Sequence, residues 1–176
     1  MPNASKLRFQ ALAEPFHIVL IEPEIPPNTG AIARTCAATD SALHLVGPLG
    51  FRVDAQAVRR AGLDYWPHVN VTRHDSFEAF VEAQPQRRMH LFTSNAERSY
   101  LQVRYQPGDV LVFGKESVGL DAALCERFKD QCVAIPTTTH VRSLNLSNAV
   151  AIALYEALRQ CDAFSTTGLK SLNKRS

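Results

Sequence analysis

Short apolar runs that recur along the chain, each bounded by turn residues, constrain the fold more than any other feature of the sequence. Five of them have the length of a buried strand, at residues 16–21, 42–46, 89–93, 110–113 and 132–135. Helical patterns lie between most of these runs. Strands that alternate with helices predict an α/β fold with a mostly parallel sheet, helices on both faces, and ligand sites at the carboxyl ends of the strands.

The length of the chain, 176 residues, suits one domain that needs neither disulfides nor metals for its core. We expect an N-terminal extension at residues 1–15, one domain at 16–160 and a flexible polar and basic tail at 161–176. No run is long enough for a membrane span, and no signal peptide is evident, so we expect a cytoplasmic protein. The cysteines and histidines are scattered singly, and no metal site is predicted.

A first polar cluster, P-P-N-T-G at residues 26–30, follows the first predicted strand. Its two prolines stiffen the loop, and Asn28 or Thr29 can cap a helix that begins there. Arg34 would then lie about one turn into that helix, where its guanidinium could hold a phosphate. The alternative is a capped turn with a surface arginine.

A second cluster, F-G-K-E-S-V-G-L at residues 113–120, ends another strand with a sharp glycine turn. It differs from a phosphate-binding Walker loop, because five residues separate Gly108 from Gly114 and Glu116 stands where that loop needs a hydroxyl. Binding of a nucleoside triphosphate is therefore disfavoured. The turn suits a small ligand approached by main chain, and Glu116 could bond that ligand or cap the following turn.

A third cluster joins I-P at residues 135–136 to S-L-N-L-S-N-A at 143–149, at the start of a helical pattern that extends to residue 160. Ser143 and Asn145 offer polar groups where unpaired backbone N–H groups also converge. The alternative is an ordinary helix cap.

The helical pattern at 143–160 is apolar on two sides, which requires two buried faces. One side carries an apolar stripe at helical spacing, and Ile152 and Tyr155 lie on the other. We expect these two residues to contact a second copy of the chain. The alternative is complete burial within one subunit.

Basic and aromatic residues occur together at Arg59, Arg60, Tyr65 and Trp66. The formal net charge of +2 does not by itself require a nucleic-acid partner. Guanidinium groups that bind phosphate beside rings that stack on bases nevertheless favour RNA contact. The alternative is a solvated face with a buried aromatic pair.

The order of the three clusters resembles the three motifs of the SPOUT RNA methyltransferases, ribose-methylating branch, over residues 16–160. Those motifs read N-T-G-x-x-x-R, F-G-x-E-x-x-G-L, and I-P followed by S-L-N-L-S-N-A. Two further segments, E-P-E-I-P-P-N-T-G at 22–30 and R-R-A-G-L-D-Y at 59–65, are similar to the short, single-domain TrmL (YibK-like) tRNA methyltransferases within that branch.

This resemblance implies a SPOUT fold with a C-terminal trefoil knot, a homodimer whose subunits both shape each site, and S-adenosylmethionine as cofactor. The implied substrate is the 2'-hydroxyl of the wobble cytidine or uridine in the anticodon loop of leucine tRNAs. Arg34 would act on that hydroxyl, with Asn28, Ser143 and Asn145 as orienting residues. The implied cofactor contacts are Phe92, Thr93, Ser94, Gly114, Glu116, Ile135, Ser143, Leu144 and Asn145.

Three alternatives remain open on the sequence alone. The first is a ribose methyltransferase for another tRNA or rRNA site. The second is a SPOUT-like module that binds RNA without catalysis. The third is a flavodoxin-like enzyme that acts on a small molecule.

Overall fold

A computed structural model describes residues 9–51 and 68–164 of the chain. Its strands are β1 His17–Ile21, β2 Ala42–Val46, β3 Val71–His74, β4 Met89–Phe92, β5 Val110–Phe113 and β6 Cys132–Val133. Its α-helices are α1 Pro26–Thr39, α2 Phe77–Ala83, α3 Ala122–Arg127 and α4 Leu146–Gln160. Single 3₁₀ turns lie at Tyr100–Gln102 and Lys129–Gln131.

The strands of this part of the chain form one parallel sheet in the order β3-β2-β1-β5-β4-β6. All five predicted strands are confirmed, although β1, β4 and β6 are shorter than predicted. Strand β3 was not predicted, because this edge strand reads V-T-R-H and leaves its side chains partly or fully exposed. Only a strand buried on both faces produces an apolar run.

Helices cover both faces of the sheet, as predicted, and β1 shows how the faces are divided. Ile18 and Leu20 pack in a core cluster with α1 and α4. Val19, between them, belongs to a second cluster that contains residues of α2 and α3. Since successive strand side chains point to opposite faces, one apolar strand serves two cores. The trefoil knot implied by the resemblance stays a prediction.

Helix α1 begins at Pro26, so the prediction that Asn28 or Thr29 caps it is wrong. Both residues lie inside the first turn and are buried, and the capping position is Ile25, without a side-chain bond. A proline in the first turn has no N–H to satisfy, which reduces the need for a cap. The side chain of Asn28 is therefore available for a partner elsewhere.

Helix α4 begins three residues later than predicted, at Leu146, because Asn145 caps it. The Asn145 side chain accepts hydrogen bonds from the backbone N–H groups of Ser147 at 2.9 Å and Asn148 at 3.3 Å. The buried face of α4 consists of Val150, Ala153, Leu154, Ala157 and Leu158. None of the helices in the described ranges is long and apolar enough to cross a bilayer.

Three histidines that are distant in sequence form a chain of ring-to-ring hydrogen bonds across β1, β2 and β3. His17 Nδ1 lies 2.8 Å from His44 Nε2, and His44 Nδ1 lies 3.0 Å from His74 Nε2. Burial lowers the pKa of His17 to about 4 and that of His44 to about 3. The rings are therefore neutral at physiological pH, and neutral rings can donate along the chain in one direction.

Candidate active site at the carboxyl edge of the sheet

The strand register brings the three motif loops to one edge of the sheet. Phe113 of β5 pairs with Leu20 of β1 and with Phe92 of β4, and Phe92 pairs with Val133 of β6. Strands β4, β5 and β6 end at these residues and β1 ends one residue later, so the four loops start at nearly the same level. The chain order reverses between β1 and β5, and such a switch point is where open α/β sheets bind ligands.

The carboxylate of Glu116, in the loop after β5, holds the loop after β1. It accepts hydrogen bonds from the backbone N–H of Glu24 at 2.8 Å, the backbone N–H of Ile25 at 3.2 Å and Asn28 Nδ2 at 3.0 Å. The alternative that Glu116 caps its own following turn is thus wrong, because its oxygens accept from the loop after β1 instead. A cofactor contact through Glu116 stays a prediction.

Asn28 extends this connection to the third motif loop. Asn145 Nδ2 donates to Asn28 Oδ1 at 3.0 Å, while Asn145 Oδ1 caps α4. Both ends of the Asn28 amide are therefore engaged, and its side chain is 8% exposed. We call the hydrogen-bonded series Glu116–Asn28–Asn145 the loop relay. It joins all three motifs that the sequence singled out.

A second set of contacts between the same loops was missed by the sequence analysis. Ser117 donates to the Glu24 carboxylate through its backbone N–H and through Oγ, each at 3.0 Å, and Lys115 Nζ lies 2.7 Å from Glu22 Oε2. The Ser117 bonds lower the pKa of Glu24, and the bond to Glu22 raises the pKa of Lys115. The available signal was the complementary charge of the two loops.

Gly114 lets the loop after β5 fold back on itself. A Cβ atom at Gly114 would lie 2.1 Å from the carbonyl carbon of Gly119, which is far inside contact distance. Gly119 has a φ of +76°, in the left-handed region that favours glycine. The loop therefore presents backbone rather than side chains next to Gly114, and this surface fits a small ligand bound mainly through main-chain groups.

The other predicted cofactor contacts lie on the loops at the same edge. The Phe92 ring is buried and stacks on Phe113 at 4.6 Å, so only its main chain can face a ligand. The Thr93 N–H donates to the carbonyl of Val133 at 3.0 Å. Ser94 and Ser143 are exposed, and Ile135 and Leu144 are half-buried. Their position and their largely main-chain character are consistent with the predicted cofactor.

Arg34 lies deeper in α1 than the sequence predicted. It is the ninth residue of the helix, two turns in rather than one, and it is exposed. Relative to Asn28 it lies about 9 Å further along the axis and is turned by about 120°. Arg34 therefore projects from a different face of α1 than the loop relay, and its contact with a substrate stays a prediction.

Three other groups of predicted site residues have different outcomes. The RNA-binding candidates Arg59, Arg60, Tyr65 and Trp66 lie outside the described residues. Ile152 and Tyr155 are 40% and 45% exposed on α4, and the Tyr155 ring stacks on Phe164. Within residues 9–51 and 68–164, no three His, Cys, Asp or Glu side chains are grouped so that they could hold a metal ion.

The parallel sheet, the switch-point loops and the backbone-lined glycine turn define an α/β protein with a ligand-binding edge at the carboxyl ends of its strands. Comparison with known families then places the chain within this class. A model of the SpoU rRNA Methylase family matches residues 15–155, and the chain belongs to that family. The family and the α/β fold expected from the resemblance are confirmed.

Individual relatives agree with this placement. The tRNA (cytidine(34)-2'-O)-methyltransferase of Escherichia coli (strain K12) is 47% identical over 145 residues, which cover 82% of this chain and 92% of the relative. A solved structure that concerns the 2-OH methylation of C/U34 on tRNA is 48% identical to this chain, with a TM-score of 0.78. The match covers 84% of this chain and 96% of that one.

A more distant solved structure contains the cofactor. The SpoU methyltransferase AviRb from Streptomyces viridochromogenes, in complex with AdoMet, is 26% identical with a TM-score of 0.69. The match covers 85% of this chain and 62% of that one.

Proposed function

We propose that this chain is a tRNA 2'-O-methyltransferase that transfers a methyl group from S-adenosylmethionine to the ribose of the wobble cytidine or uridine. The observation that carries the proposal is the loop relay, which joins the three methyltransferase motifs at one edge of the sheet. The activity named for the E. coli relative, at 47% identity, supports the choice of nucleotide. Leucine tRNAs in the cytoplasm are the substrates we infer.

The cofactor would lie against the loops that follow β4, β5 and β6. Main-chain groups at Thr93, Gly114 and Ile135, together with the segment 143–145, would hold it. When bound, S-adenosylmethionine supplies an electrophilic methyl group, whose bond to sulfur breaks as the carbon bonds to the ribose oxygen and leaves S-adenosylhomocysteine. The protein must position that oxygen and accommodate the loss of its proton.

Arg34 would stabilise the negative charge that develops on the 2'-oxygen. A guanidinium is not deprotonated in proteins, so Arg34 does not serve as a base. Its fork of N–H donors suits the target phosphate and the reacting oxygen together, while a phosphate oxygen or water takes the proton. Asn28 and Asn145 would orient the loops through the relay, and Ser143 would orient the substrate.

A homodimer would complete the enzyme. Ile152 and Tyr155 expose large apolar surface on the outer side of α4, whose opposite side packs in the core. A second copy that covers these residues would bury this surface. Light scattering should give twice the chain mass, and Ile152→Lys should lower it towards that of a monomer. A wild-type monomer that remains active at micromolar concentration would contradict the dimer.

The proposed function is tested by methylation of a transcribed leucine anticodon stem-loop with labelled S-adenosylmethionine. Nuclease mapping should place the methyl group on the ribose of nucleotide 34. A matched stem-loop with 2'-deoxyribose at that nucleotide is the control and should accept nothing. A methyl group on a base or on another ribose would refute the assignment. Binding without transfer would instead favour a non-catalytic RNA-binding module.

A further inference from the structure

A cavity of about 300 Å³ lies beside the amino end of β4, away from the motif loops. Its lining includes Arg87 and Arg88, which directly precede β4, and residues of the 3₁₀ turn Lys129–Gln131, which precedes the edge strand β6. The polar lining residues are Arg87, Arg88, His90, Arg98, Asp130 and Gln131. Three arginines against Asp130 and the buried Asp109, which pairs with Arg88, leave this region with a net charge of +1 without counting His90. Such a wall attracts an anion.

A buried carboxylate fixes one side of this cavity. Asp109 is 2% exposed and accepts hydrogen bonds from His90 Nε2 at 2.9 Å and the backbone N–H of Gln106 at 2.9 Å. Its other oxygen lies 3.3 Å from Arg88 Nε. Because the carboxylate is fully engaged behind the wall, it orients His90 and Arg88 rather than offering a negative surface to a ligand.

The other two arginines are also oriented by oxygen acceptors. Arg87 donates from Nε to Gln84 Oε1 at 2.7 Å and from Nη1 to the carbonyl of Gly108 at 2.9 Å. Arg98 donates from Nη2 to the carbonyl of Gln102 at 3.3 Å. A guanidinium has five N–H donors, so these bonds leave donors on both groups for a ligand. Oriented forks of this kind match the oxygens of a phosphate.

We propose that this arginine cavity binds a backbone phosphate of the RNA substrate, at a distance from the methylated ribose. The inference rests on the proposed tRNA substrate. Leu91 and Phe92, the last two residues of β4, separate His90 in the cavity wall from the motif loop that begins at Thr93, a distance of about 10 Å along the strand. The exposed side chains of Arg88 and Arg98 make the site accessible to a polymer. The contact would fix the position of the RNA without reading its sequence.

The test compares tRNA binding by the full-length protein and its variants at several salt concentrations. Arg98→Gln should reduce the slope of log affinity against log salt concentration by about 0.7. Between about 50 and about 200 mM salt, its affinity should therefore fall about 2.6-fold less than that of the wild type. Asp130→Asn removes a negative charge from the cavity wall, so this variant should bind tRNA more tightly than the wild type. Arg127→Gln is the matched control, because Arg127 faces Glu78 and does not line the cavity.

Steady-state kinetics separate this inference from the proposed function. Arg98→Gln should raise the KM for tRNA while kcat and the affinity for S-adenosylhomocysteine stay unchanged, because the reacting groups are untouched. An unchanged slope and KM in Arg98→Gln, with an active wild type, would overturn the cavity assignment alone. An equal effect of Arg127→Gln would overturn it too, since it would indicate only a general loss of charge. Failure of the wild type to methylate any tRNA would instead overturn the proposed function.

Discussion

Replacement of Asn28 by aspartate tests whether the loop relay stabilises the enzyme. The Asn28→Asp variant keeps the shape of the side chain but removes the amide that donates to Glu116 Oε1 at 3.0 Å. Two carboxylates would then face each other in a site where residue 28 is 8% exposed. At that separation and an effective dielectric constant of about 20, their repulsion would be about 5 kcal/mol.

Uptake of one proton by the pair limits this cost. Protonation of a carboxyl with an ordinary pKa near 4.3 costs about 3.7 kcal/mol at pH 7 and only about 1 kcal/mol at pH 5. We therefore expect Asn28→Asp to lower the free energy of unfolding by about 2–4 kcal/mol at pH 7 and by about 1 kcal/mol at pH 5. Urea denaturation at fixed protein concentration measures both values.

A second substitution should restore the contact with its polarity reversed. In Asn28→Asp/Glu116→Gln, the new amide at residue 116 can donate to the new carboxylate and its oxygen still accepts from the backbone of Glu24, so that only the longer bond from the Ile25 N–H, at 3.2 Å, is lost. Most of the lost stability should return at pH 7. Asn70→Asp, at an exposed position, controls for the added charge. If Asn28→Asp is no worse than Asn70→Asp, or if Glu116→Gln restores nothing, the relay does not hold the loops together.

Three further predictions concern turnover, cofactor binding and pH. Arg34→Ala should lower turnover by roughly 10²-fold or more with little change in cofactor affinity, and Arg34→Lys should fail similarly. Normal single-turnover rates in either variant would remove Arg34 from the mechanism. Gly114→Ala should abolish binding of S-adenosylhomocysteine in calorimetry, since its Cβ would lie 2.1 Å from a facing backbone carbon. Gly50→Ala, which meets nothing within 4 Å, should bind normally, and retained binding in Gly114→Ala would show that the turn can relax. Because the pKa values of His17 and His44 are lowered to about 4 and about 3 in the folded state, their contribution to stability is complete above pH 6.5 and is lost as the pH falls. Urea denaturation should show a loss of about 2–4 kcal/mol between pH 7 and pH 5, and a constant stability would contradict the neutral histidine chain.

The strands that the sequence predicted are those buried on both faces, such as β1 and β5, because double burial requires continuous apolar residues. The edge strand β3 was missed since its side chains need not be apolar. The order of the strands in the sheet is harder to predict from the sequence. The pairing of His17 with Val110 joins residues far apart in the chain, and no local pattern specifies such a partner.

In the candidate site too, local features were predicted and contacts between distant residues were not. Glycines at a strand end and a polar helix start are local signals, and they located Gly114 and Asn145 correctly at the sheet edge. The partner of a side chain is not local. Asn28 has the right chemistry for a helix cap, but its amide bonds two residues that follow later strands.

The starts of α1 and α4 lie at this edge and differ in charge, and this difference affects where an anion is stabilised. The carboxylate of Glu116 accepts from the N–H groups of Glu24 and Ile25, and so neutralises the positive end of α1. Helix α4 is capped by the neutral amide of Asn145, so its positive end is not neutralised by its cap. A phosphate or a developing 2'-oxyanion of the proposed substrate would therefore be stabilised more strongly near the start of α4 than near the start of α1. The exposed Ser143 lies at that start, which supports its predicted role as an orienting group for the substrate.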